Sequence, residues 1–286
     1  QDPGHDWADV CIGRADGGEH RVLTSGQAMW FAATYGDQET RGGGSNVPAW
    51  TPEGTIIFPR RLPNARVAWQ FAAGRPDVDH FNRDFRPELA CGGCEIVELD
   101  PGDGSTKVLT HSEPPVWDFR ATVSPDGRFV AVQRTDHTGV ERLRIMDPSN
   151  PTQAPEANPY PRPGKRNDDV SLAVFPAAGG APVWVQWDHD AYPYLCSVTW
   201  PESGPLTLYV MDRRQQQATL LSVDPATGRT APLLGERDAA WINLPHGAPA
   251  WLPDGRSFLW LAERDDSGPW LELQSADATS RRLTPP

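Results

Sequence analysis

The chain has 286 residues, 38% of them hydrophobic and 22% charged, and 26 Lys and Arg against 38 Asp and Glu give it a formal net charge of −12. This composition is globular rather than disordered. No apolar run reaches the roughly 20 residues of a membrane-spanning helix, and the acidity argues against nucleic acid, whose phosphates are met by Lys and Arg. The 30 Pro and 26 Gly are spread along the chain, which predicts short strands and turns in place of long helices.

The first predicted element is a hairpin over Asp9 to Thr24, strand then Asp/Gly turn then strand. Ala49 to Phe58 (AWTPEGTIIF) is a second kind of hairpin, with a Pro-containing turn and an apolar second strand. A long insertion without either pattern follows, from about Pro59 to Ala90, and leads into Cys91-Gly92-Gly93-Cys94. That single C-x-x-C fits a redox pair, half a zinc site, or two thiols at a strand start. No second C-x-x-C or H-x-x-x-H accompanies it, and the alternation of Glu95 to Leu99 is that of a strand, not the helix start of a redox motif. Glu95 to Thr110 then repeats the first kind of hairpin, and Thr122 to Val132 (TVSPDGRFVAV) the second. In Ser124-Pro125-Asp126-Gly127, Pro sets φ for a type I turn and Gly stands at its fourth position. Another insertion runs from about Thr135 to Asp169, followed by hairpins at Val170 to Trp187, Thr199 to Val210, Ala218 to Leu234, Ala250 to Trp260 and Trp270 to Thr284.

The two kinds of hairpin alternate in fixed order, and one of each makes a four-stranded antiparallel sheet. The expected fold class is therefore all-β, a β-propeller, with a sandwich or unrelated barrel as the competing architecture. Blades are expected at about 46–110, 120–188, 196–235 and 247–285, with a partial blade at 9–24, all within one propeller segment, 1–286. Five hairpins of one kind against four of the other do not close a ring. The expectation is an incomplete, open fragment of a seven- or eight-bladed ring. The second strands are almost continuously apolar (Phe129-Val130-Ala131-Val132, Phe258-Leu259-Trp260-Leu261), which predicts cover on both faces. Trp50, Trp200 and Trp251 share one repeat position and read as packing residues.

The stretch Asn158 to Trp241, in the half of the chain that runs from about residue 120 onward, goes beyond generic blade grammar. Tyr160-Pro161, Gly164 and Asn167 are followed by the strand Val170 to Val174, by Tyr194-Leu195-Cys196-Ser197-Val198-Thr199-Trp200, by Met211-Asp212-Arg213-Arg214-Gln215 and by Trp241. In that order and spacing they resemble the N-terminal propeller of the dipeptidyl peptidase IV family, prolyl-oligopeptidase-like serine peptidases. Residues 1 to 119 resemble instead the generic WD-like repeats of Tol-system and oligogalacturonate lyase propellers. The resemblance implies a parent serine-type peptidase whose α/β-hydrolase domain carries the G-x-S-x-G elbow. No such elbow occurs in these 286 residues, since Ser45 follows Gly42-Gly43-Gly44 but precedes Asn46 and Val47. The expected role is noncatalytic: to gate and orient peptide substrates for that hydrolase domain.

The resemblance also implies paired glutamates that hold the substrate's free amine, anionic charge set against an ammonium. At the equivalent place stands His111-Ser112-Glu113-Pro114-Pro115-Val116-Trp117-Asp118, where two prolines oppose the helix such a pair occupies. The candidate substrate-binding residues are Glu113 and Asp118. His80, His111, His137, His189 and His246 are dispersed without ligand spacing, so neither a metal nor a cofactor is expected. Implied partners are a peptide substrate, the hydrolase domain of the same parent chain and a second copy of the parent enzyme; implied location is periplasmic or secreted. Two other readings stay open: a stand-alone Tol-system-like propeller that binds protein or peptide, and a metal-dependent lyase-like propeller.

Overall fold

The structure, a computed structural model, describes residues 10–25, 48–61, 94–113, 115–146, 148, 151–152, 155–244, 247–263, 268–275 and 279–284. Most of the 59–90 insertion lies outside these, with Ser45, Cys91, His80 and His246. All regular elements among the described residues are strands. β1 (Cys11–Gly13) and β2 (His20–Val22) form a two-stranded antiparallel sheet. β3 (Ala49–Trp50), β4 (Ile56–Arg61), β5 (Cys94–Leu99) and β6 (Thr106–Val108) make a four-stranded sheet in that order. The C-x-x-C reading thus puts Cys94 at the first position of β5.

Next come β7 (Val116–Val123) and β8 (Phe129–Asp136), the separate hairpin of β9 (Arg142–Ile145) and β10 (Glu156–Pro159), then β11 (Asp169–Pro176) and β12 (Val183–Trp184). The sheet order is β12-β11-β8-β7, so the β9–β10 hairpin is an excursion between its two middle strands. β13 (Tyr194–Thr199), β14 (Leu206–Met211), β15 (Gln217–Val223) and β16 (Thr230–Arg237) form the next sheet. β17 (Ala250–Trp251), β18 (Ser257–Ala262), β19 (Trp270–Ser275) and β20 (Ser280–Arg282) form the last. These four-stranded antiparallel sheets are the blades of a β-propeller fold.

By contacts the chain divides into two compact units: residues 1–36, 45–121 and 133–169, and residues 37–44, 122–132 and 170–286. The first is centred on Val10, Ile56, Phe58, Val97 and Leu99, against which Ile12, Leu23 and Val108 pack. The second holds two clusters. One joins Ala131, Leu172, Val174, Val198, Leu206, Leu208 and Val210; the other joins Tyr209, Met211, Leu220, Ile242, Phe258, Trp260 and Trp270. Each fully buried large side chain contributes about 1.5–3 kcal/mol by leaving water. β14, buried at every position, is the inner strand that its apolar sequence predicts. β18 differs: its burial alternates, with Phe258, Trp260 and Ala262 inside and Leu261 39% exposed. Its two faces are unequal: Leu261 lines a pocket with Ile242, Leu244 and Pro269 and stands outside the buried cluster that holds Phe258, Trp260 and Ala262.

The turn chemistry explains the hairpins. Ser124 Oγ and the Arg128 amide both donate to Asp126 Oδ1, at 2.7 and 3.1 Å, Arg128 Nε donates to Asp126 Oδ2 at 2.6 Å, and Gly127 closes the turn at φ 70°. Asp254 repeats this with the amides of Arg256 and Ser257, both at 2.9 Å. Gly228, between β15 and β16, is fixed by contact: at φ 72° an added Cβ would lie 2.1 Å from the Trp184 carbonyl oxygen. The Ser124 hydroxyl first, and Arg128 second, hold the Asp126 carboxyl at about 2, below its usual 3.8. With the folded value depressed, the turn's contribution is complete above pH 4 and is lost as pH falls toward 2. A proton NMR titration of the Gly127 amide is expected to show a midpoint of about 2; a midpoint near the unperturbed 3.8 would show that the turn does not engage the carboxylate.

Candidate functional site

Of the candidate residues, Glu113 lies on the segment that leads into β7 and Asp118 on the third position of β7 itself, both in the first unit. Thr110 anchors the start of that segment: the Ile96 amide donates to Thr110 Oγ1 at 2.9 Å, and Thr110 itself is 1% exposed. From there the chain rises to the surface, with His111 and Glu113 exposed, and turns back where the Val116 amide donates to the Glu113 carbonyl at 2.8 Å. The His137 amide, at the end of β8, donates to the Pro115 carbonyl at 3.1 Å. Trp117 is then buried at 4% exposure and meets the His137 ring edge-on, centroids 4.3 Å apart.

Asp118 stands in a different environment from Glu113. It is 1% exposed, and Arg134 of β8 grips it as a fork, Nε to Oδ1 at 2.7 Å and Nη2 to Oδ2 at 2.8 Å. The same Nη2 donates to the His111 carbonyl at 3.2 Å. Bonding to Asp118 pushes the Arg134 guanidinium above its ordinary value, burial opposing. A carboxylate so buried is charge-balanced within the fold, while Glu113 presents its carboxylate to solvent. The structure therefore turns one acid outward and the other inward.

Three features here were not foreseen from sequence. Arg134 is one. His137 is another: 8% exposed, its Nδ1 lies 2.5 Å from Asp168 Oδ1. Arg120 is the third, in mid-strand at φ 54°, a region that costs a non-Gly residue of order 1–3 kcal/mol, with Nη1 donating to Gln133 Oε1 at 3.2 Å. The sequence signal for Arg134 is that Gln133 and Arg134 interrupt an apolar strand; His137 stands among the dispersed histidines with no partner assigned, and nothing in the sequence marks Arg120.

The other described candidates each have their own surroundings. His189 stacks on Trp187 at 3.8 Å between centroids, and among the described residues no three His, Cys, Asp or Glu side chains form a metal-holding group. Trp200 stacks with Phe129 (6.3 Å), and Trp251 packs on Phe258 (4.9 Å). Trp50 departs from the packing role expected of it: it is 58% exposed, on a two-residue edge strand whose partner β4 sends Ile56 and Phe58 into the core instead.

Comparison with known proteins adds the following. The family model for the dipeptidyl peptidase IV N-terminal region matches residues 120–285, so Glu113 and Asp118 lie just ahead of the match. The crystal structure of a protein assigned as a dipeptidyl aminopeptidase IV from Bacteroides ovatus is similar over 85% of the chain, with a TM-score of 0.59 and 17% identity. The dipeptidyl peptidase 4 of Porphyromonas gingivalis is similar over 87% of the chain, with a TM-score of 0.60 and 16% identity. The chain spans 34% of the length of each.

Proposed function

Since this chain belongs to the dipeptidyl peptidase IV N-terminal region family, we propose that it is the noncatalytic propeller of a peptidase, gating and orienting peptide substrates for an α/β-hydrolase domain of the same parent polypeptide. The observation that carries the reading is the family match over 120–285, together with a sequence that has propeller blades and no nucleophile elbow. Without that elbow there is no serine held on a strained turn beside a base, so the chain lacks the means to form an acyl-enzyme.

What the propeller supplies in this reading is exclusion and charge. Blade loops wall the cleft so that chain ends enter and folded segments do not. The exposed carboxylate of Glu113 meets the ammonium of the peptide's first residue through a charge-assisted hydrogen bond. Asp118, already balanced by Arg134, serves from within, setting the segment on which Glu113 stands.

A serine-directed phosphonate tests the division of labour. It is expected to leave the 286-residue chain unlabelled and to label the parent polypeptide on a serine outside these residues, with loss of Xaa-Pro amide hydrolysis. Label within the 286 residues, or no labelled serine in the parent, overturns the proposal.

A further inference from the structure

We propose that Arg134 is the positioning residue of the Glu113 segment. The inference rests on the reading of Glu113 as the acid that meets the substrate amine. Within the segment Pro114 and Pro115 have no amide hydrogen to donate, and the Val116 amide closes the turn onto the Glu113 carbonyl. The neighbouring strand β8 adds ties of its own. One guanidinium bonds on both sides of Glu113, to the His111 carbonyl before it and to the Asp118 carboxylate after it. A planar guanidinium carries five donors in fixed directions and can hold three acceptors at once; a lysine ammonium at the end of its stem lacks that geometry. A second tie comes from just past the end of β8, where the His137 amide donates to the Pro115 carbonyl.

The charges agree with this assignment. Arg134 pairs with the buried Asp118, while the carboxylate of Glu113 is the exposed one on the segment. Arg134 thus acts on substrate only through Glu113. Were Arg134 replaced alone, Asp118 would lose the guanidinium that grips it while staying buried, and the fold itself would suffer. The informative variant removes both charges together, Asp118→Leu with Arg134→Met, an exchange that buried ion pairs commonly tolerate and that also deletes the bond to His111.

Two readouts decide the matter. In the 286-residue chain, hydrogen exchange at the Val116 amide is expected to quicken about tenfold in the double variant, the equivalent of one charge-assisted hydrogen bond, with thermal unfolding still cooperative. In the full-length parent, the kcat/KM ratio of a free-amine Xaa-Pro substrate to its N-acetylated analogue is expected to fall about tenfold, through KM. Arg134→Lys, which keeps the charge but not the fork, is expected to lower the ratio as the double variant does. Unchanged exchange at Val116 overturns the assignment, and so does faster exchange with an unchanged ratio in a parent whose ratio Glu113→Gln lowers. Glu113→Gln separates it from the reading beneath: this variant is expected to lower the ratio and to leave Val116 exchange as it was. An unchanged ratio there sinks the amine reading alone, and Val116 exchange then still decides whether Arg134 orders the segment.

Discussion

Trp260→Ala is expected to cost about 3–5 kcal/mol for the cavity alone. Trp260 is fully buried on β18, and its ring meets Tyr209 edge-on with centroids 5.3 Å apart and Phe258 at 6.4 Å. Its indole Nε1 donates to Glu236 Oε1 at 2.8 Å, and the Tyr209 hydroxyl donates to Glu236 Oε2 at 2.7 Å. Truncation therefore removes a large apolar side chain and also takes a donor from a carboxylate that is 8% exposed, a further loss of about 1–3 kcal/mol. Trp260→Phe drops the N–H and leaves a smaller cavity than alanine does, since it keeps a six-membered ring. Urea unfolding should show midpoints falling in the order wild type, Trp260→Phe, Trp260→Ala. A loss below about 1 kcal/mol for the alanine variant, the range of ordinary surface changes, would contradict the packing described for this cluster.

The fold was legible in the sequence because its signals are local and repeated. Ser-Pro-Asp-Gly and Leu-Pro-Asp-Gly each specify a turn through a Pro, an acceptor carboxylate and a glycine with positive φ, and the flanking apolar runs specify the strands. Repetition then supplied the blade. The β9–β10 hairpin carries no such turn signature, since the chain between its strands reads Met146-Asp147-Pro148-Ser149-Asn150-Pro151-Thr152-Gln153-Ala154-Pro155, and it read as plain insertion.

The candidate segment was legible only in part. Glu113 and Asp118 are alike in a sequence: two acids five positions apart, either able to attract an ammonium. What separates them is Arg134, sixteen residues beyond Asp118 on the next strand, and its pairing depends on a register that no local pattern announces. The His137–Asp168 contact spans a still longer interval, across the whole β9–β10 excursion. Sequence reading places residues on elements; which buried charge meets which is settled by how the elements pair. The tryptophans teach the same lesson: Trp50 and Trp251 share a repeat position, yet one is 58% exposed and the other packs against Phe258.

The central claim, that this propeller reads the free end of a peptide through Glu113, is tested most directly by one ratio. Steady-state kinetics of the full-length parent polypeptide on a free-amine Xaa-Pro substrate and on its N-acetylated analogue yield the discrimination between charged and blocked ends. Neutralising one partner of a charge-assisted hydrogen bond removes about 1.5–3 kcal/mol, so Glu113→Gln is expected to lower that discrimination by about tenfold or more. The free-amine loss should be carried by KM, because an interaction made equally in the bound substrate and the transition state alters binding and not turnover. A Glu113→Gln enzyme that loses equally on both substrates, or on neither, would contradict the account.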